Sequence, residues 1–157
     1  MQNDRLMFGR LPRRGAVAAV TLLLLGCGWS ACAAAATCSV SSPGVAFGGY
    51  DPLASAPTDG VGNIAVSCDG VASYTIALGP GGGDFTSRAM TNGSSALQYN
   101  LYTSPLRTTV WGDGSGNTST VSDTATGGNY AVYGRINERQ NVTAGTYSDT
   151  LTITITY

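Results

Sequence analysis

The 157-residue chain has no histidine and no lysine, and charged residues make up only 11% of it. Without an imidazole, acyl-transfer triads built on a histidine base are excluded, and zinc sites lose a principal ligand. Beyond residue 36, four arginines (Arg88, Arg107, Arg135, Arg139) face eight acids (Asp51, Asp59, Asp69, Asp84, Asp113, Asp123, Glu138, Asp149), a net charge of −4. No basic patch can form to neutralise a row of phosphates, so nucleic acid is excluded as a partner. Long apolar runs are also missing. The longest, Ala16 to Leu25, is about ten residues, too short for a membrane-spanning helix. Past residue 36 no window carries an apolar 3.6-residue period of useful length, so helices are not expected there.

What is present begins with a targeting segment. Arg5, Arg10, Arg13 and Arg14 precede the apolar run, and Ala34, Ala35 and Ala36 offer a small-residue cleavage site before Thr37. Residues 1–36 are read as a secretory signal peptide and 37–157 as one domain. A second processing route is open, because Leu24-Leu25-Gly26-Cys27 has the form of a bacterial lipobox whose cysteine would be lipidated. The remaining composition, with 22 glycines and abundant Thr, Ser and Asn, is that of an exported β-protein. Cys27 and Cys32 leave with the signal. Cys38 and Cys68 then read as one disulfide in an oxidising compartment, closing a loop of about 30 residues. Such a loop is worth about 3–4 kcal/mol.

The apolar stretches are short, alternating and bounded by turn residues. Strands are predicted at Val40–Phe47 with a bulge at Pro43-Gly44, at Asn63–Cys68, at Ser73–Leu78, at Leu97–Thr103, at Tyr130–Ile136 and at Tyr147–Tyr157. Inward sets follow from the period of two: Ile64, Val66 and Cys68; Tyr74, Ile76 and Leu78; Leu97, Tyr99 and Leu101. Val110-Trp111 is a short edge piece, and Gly48–Gly60 and Gly112–Gly128 are loops. From Thr150 onward threonine alternates with Leu151, Ile153, Ile155 and Tyr157 up to the final residue. A regular apolar strand of this kind pairs with another chain unless something covers it. Six principal strands are one short of the seven in an immunoglobulin-type sandwich.

Several stretches together resemble the spore coat protein U domain family. They are Cys38-Ser39-Val40, Gly44–Gly48, Tyr50–Leu53, Val66-Ser67-Cys68, Ser87–Met90, Leu97–Tyr102, Thr108–Gly114, Val132–Arg135, Gln140 and Ala144–Thr150. That family includes subunits of archaic, Csu-type chaperone–usher pili of Gram-negative bacteria. The resemblance implies an all-β, incomplete immunoglobulin-like sandwich of about six main strands, completed by a donated strand. It implies three partners: a periplasmic chaperone, an outer-membrane usher and a neighbouring subunit that donates a strand. Export through the periplasm to the cell surface follows. The interface would run along Leu151, Ile153, Ile155 and Tyr157, with the terminal carboxylate anchored by the chaperone. One departure is the segment Cys27–Thr37, with five alanines in eleven residues and no alternation of large side chains. It does not read as a donor strand, which favours a tip, strand-accepting role in adhesion and biofilm formation. The alternatives are a free-standing secreted or lipid-anchored coat protein, and a module binding a glycan or surface.

Chemistry beyond this is sparse, and neither an enzyme nor a cofactor is expected. The acids are scattered through turns such as Asp51-Pro52, where they act as turn formers. Asp113, Ser115 and Asn117 alternate as in a calcium loop, but no bidentate acid follows, so no metal site is assigned. Three Asn-x-Ser/Thr triplets begin at Asn92, Asn117 and Asn141 and are read as chance in a polar chain. Among the aromatics, Trp111 beside a polar loop is the candidate exposed contact.

Overall fold

The computed structural model describes residues 35–157; all but the last two residues of the segment read as a signal peptide, and the lipobox-like stretch ending at Cys27, lie outside them. The described residues form eight strands and no helix. They are β1 (Cys38–Ala46), β2 (Thr58–Leu78), β3 (Arg88–Asn92), β4 (Ser95–Tyr102), β5 (Val110–Trp111), β6 (Thr118–Ser119), β7 (Val121–Ile136) and β8 (Ile153–Thr156). The ladder runs β1-β2-β7-β4-β5-β6, with β3 added to β4 and β8 added to β2. Every pairing is antiparallel except β5 with β6.

The length of β2 explains the architecture. Its 21 residues would extend about 70 Å, several times the ~14 Å radius of gyration of a domain this size. The strand therefore has to bend, and its pairing with β7 breaks register between Ser67 and Ala72. The first half of β2 carries β1, and the second half carries β8. Side chains from both halves, including Ile64, Val66, Ile76 and Leu78, meet in one core with Leu97, Leu101 and Ile136. The result is an immunoglobulin-like sandwich in which two long strands serve both layers. Gly127 lies at the bend with φ +132°, where a Cβ would collide with the carbonyl of Val66.

The inward sets read from alternation are buried as expected except for Cys68, which is half-buried, and the break at Pro43-Gly44 is a register shift between Ser41 and Gly44. Cys38 stands directly opposite Cys68 and is bonded to it, with Cα atoms 4.1 Å apart. Five expectations need correction. The stretches 63–68 and 73–78 are one strand, because the chain stays extended through the irregularity. Strand β3 was not expected, and β7 begins at Val121, inside the supposed loop 112–128. The final strand is only Ile153–Thr156, because the chain first bridges to β3 at Thr91–Ser148 and then crosses to β2. Trp111 is not an exposed contact. It is 1% exposed, and its indole N–H donates to the Ile76 carbonyl at 3.0 Å, since a buried indole needs an acceptor.

Candidate functional site

Strand β1 lies at one end of the ladder, paired to β2 alone among the described residues. Its side chains are almost all exposed; Cys38 and Val45 alone within it are half-buried. Across from it runs the segment after Tyr147, whose Leu151, Ile153 and Ile155 are half-buried against the core. Between the two lies a cleft of about 480 Å³. Its walls are Ser42–Ala46 on one side and Tyr147–Leu151 with Ile153 on the other. Its floor is the sandwich core itself: Ile64, Leu78, Met90, Tyr99, Leu101 and Val132. A second cleft of about 580 Å³ continues it between Val45–Tyr50 and Val142–Tyr147, sharing Val45, Ala46, Met90 and Tyr147. The two make one long groove with an apolar floor between an edge strand and the C-terminal segment.

Of the residues expected at an interface, Leu151 and Ile153 line the groove. Ile155 stands beside it, opposite Ile76 of β2, and Tyr157 is 57% exposed. Among the lining residues Asp149 is the single carboxylate. Its Oδ1 accepts from the Gly82 N–H at 3.0 Å and the Thr150 N–H at 2.8 Å, and its Oδ2 from the Tyr99 hydroxyl at 2.7 Å. Burial, and then the carboxylate beside it, push the Tyr99 phenol far above its ordinary value, so it stays a neutral donor. The same ring meets Phe47 edge-on at 5.7 Å.

Behind this wall lies a fully buried arginine, Arg88. Its Nε and one terminal nitrogen donate to the Gly79 carbonyl, and its other donors reach Asn100 Oδ1 at 2.6 Å and the Trp111 carbonyl at 2.7 Å. Burial lowers its pKa, yet four acceptor contacts hold the cation. Sequence reading assigned no part in a site to Arg88, Asn100 or Asp149. The available signal was parity: Arg88 shares the inward face of β3 with Met90. The groove is suited to bury alternate apolar side chains of an extended chain while pairing its backbone with the open edge of β1. Among the described residues no cluster of three or more metal-ligating side chains occurs.

Fold and groove together define the class: an incomplete immunoglobulin-like sandwich, open between its first strand and its C-terminal segment. The Spore Coat Protein U domain model matches residues 29–154, and the chain belongs to that family. Protein U of Myxococcus xanthus is 34% identical over 125 aligned positions, covering 71% of this chain and 70% of that protein. Among solved structures, the chain is similar to one chain of the CsuC–CsuE chaperone–tip adhesion subunit pre-assembly complex from archaic chaperone–usher Csu pili of Acinetobacter baumannii. The TM-score is 0.55 at 23% identity. The likeness covers 78% of this chain but only 40% of that one, and it is a likeness of fold.

Proposed function

We propose that the protein is a non-enzymatic structural subunit of a chaperone–usher surface pilus, assembled by donor-strand complementation. The observation that carries this reading is the groove, where core side chains form the floor, the edge strand β1 forms one wall and the C-terminal segment leading into β8 forms the other. A strand laid into it would bury four or five side chains at about 1.5–3 kcal/mol each. Against a total domain stability of about 5–15 kcal/mol, that decides whether the subunit persists. The partners in this reading are a periplasmic chaperone, an outer-membrane usher and a neighbouring subunit, and the destination is the surface of a Gram-negative cell. Fold similarity to a chaperone–adhesion subunit complex supports the chaperone. A tip position, with adhesion and biofilm formation, is the finer form of the proposal, supported by the alanine-rich, non-alternating segment Cys27–Thr37.

The test is export of the full chain to a periplasm with and without a chaperone of such a system. Aggregation or strand-exchanged oligomers alone, and a one-to-one complex with the chaperone, are expected. A stable monomer without any chaperone would sink the pilus reading. It would favour the second one, a free-standing coat or surface protein, which the family and the resemblance to Protein U support.

A further inference from the structure

The segment 149–152 belongs to no strand, yet it forms the middle of one groove wall. It spans from the bridge on β3 at Ser148 to β8 on β2. Two sets of bonds tie it down among the described residues. One is the Gly79 N–H donating to the Thr152 carbonyl at 2.9 Å. The other is the Asp149 carboxylate, which gathers donors from the loop (Gly82) and from the groove floor (Tyr99). The loop is itself held from inside by Arg88 through Gly79. It also approaches so closely that a Cβ on Gly81, at φ +64°, would strike the carboxylate. Tyr99 reaches both sides: its hydroxyl holds Asp149, and its ring packs on Phe47, just past β1.

We propose that Asp149 is the positioning residue of the groove, a latch that sets the C-terminal wall over the floor before a strand arrives. This rests on the strand-acceptor reading. A wall held in place spares the incoming strand the cost of ordering it, so the latch acts on how long a strand is retained.

The experiment compares the exported full chain with Asp149→Asn and Tyr99→Phe. The probe is a synthetic peptide of about ten residues in which valine alternates with threonine, flanked by lysines. Tyr99→Phe keeps the ring and removes only the hydroxyl, so it decides the matter if Asp149→Asn does not fold. Both variants should release the peptide about tenfold faster or more, the scale of a hydrogen bond to a charged group. Amides of Thr150–Ile153 should exchange faster by a similar factor while those of β2 and β7 keep wild-type protection. Wild-type release and exchange in Tyr99→Phe would overturn the latch and leave the acceptor reading standing. So would a lower unfolding midpoint with unchanged release, which marks a merely structural bond. If the wild-type chain takes up no peptide, the acceptor reading fails and the latch falls with it.

Discussion

The two walls of the groove are built by different means. Strand β1 buries little of itself and is held to β2 by its ladder and by the Cys38–Cys68 bond at one end. The C-terminal wall has a four-residue ladder and no covalent tie among the described residues, and it relies on half-buried Leu151, Ile153 and Ile155 and on Asp149. One lip is stapled and the other is packed. A stapled edge strand can stay exposed without fraying. A packed one depends on apolar contacts that an added strand would extend. The C-terminal wall should therefore be the more sensitive to what occupies the groove.

The strongest way to break this contrast is to charge the packed wall. Ile153→Asp with Ile155→Asp should cost several kcal/mol, on the order of 3 or more, because two carboxylates would meet the core without partners. Recovery of the chain with a periplasmic chaperone should be lost. Normal recovery would show that this wall is not the interface. Opening the stapled wall comes next. Cys38→Ser with Cys68→Ser should lower stability by about 3–4 kcal/mol in urea unfolding, as reductant should for the native chain. No change with reductant would mean that the ladder alone holds β1.

A change away from both walls calibrates these. Trp111→Phe should cost about 1–2 kcal/mol by removing the indole hydrogen bond to the Ile76 carbonyl and leaving a small void, without altering strand retention. The smallest effect belongs to Asp59, whose carboxylate accepts from Arg135 at 2.7 and 2.9 Å and faces Arg107 at 3.2 Å. The Arg135 hydrogen bonds, and then the two guanidinium charges, hold its pKa below the usual 3.8 despite some desolvation. Its stabilisation is present in full above that value and lost as pH falls through the lowered one. With the Arg135 and Asp59 side chains 32% and 36% exposed, the pair should contribute less than about 1 kcal/mol. The gap in unfolding midpoint between wild type and Asp59→Asn should be visible at neutral pH and close at about pH 2. A gap that persists in acid would assign the effect to packing.

Legibility followed the source of each element's stability. The sets Ile64/Val66, Tyr74/Ile76/Leu78 and Leu97/Tyr99/Leu101 were readable because burial on one face imposes a period of two. The first half of β7, with Ser122, Asp123 and Thr124, carries no such pattern. It is a strand because its backbone pairs with β2, where hydroxyls meet across the rungs, Ser73 with Thr124 and Thr75 with Ser122. Strand β3 offers only Ala89 and Met90 as apolar residues and opens on a buried arginine. Trp111 was misplaced because a neighbouring polar loop says nothing about which way a ring turns.

By itself the sequence determined the all-β class, the cross-link and the two segments that became the groove walls. Each depends on local alternation or on residue type, which short stretches of chain display. Only the tertiary structure decided that β2 bends to serve both layers, that Trp111 is core, and that Asp149 is held by Gly82 and Tyr99. Those two partners lie 67 and 50 positions away along the chain, and no local pattern encodes a contact that forms when distant strands are brought together.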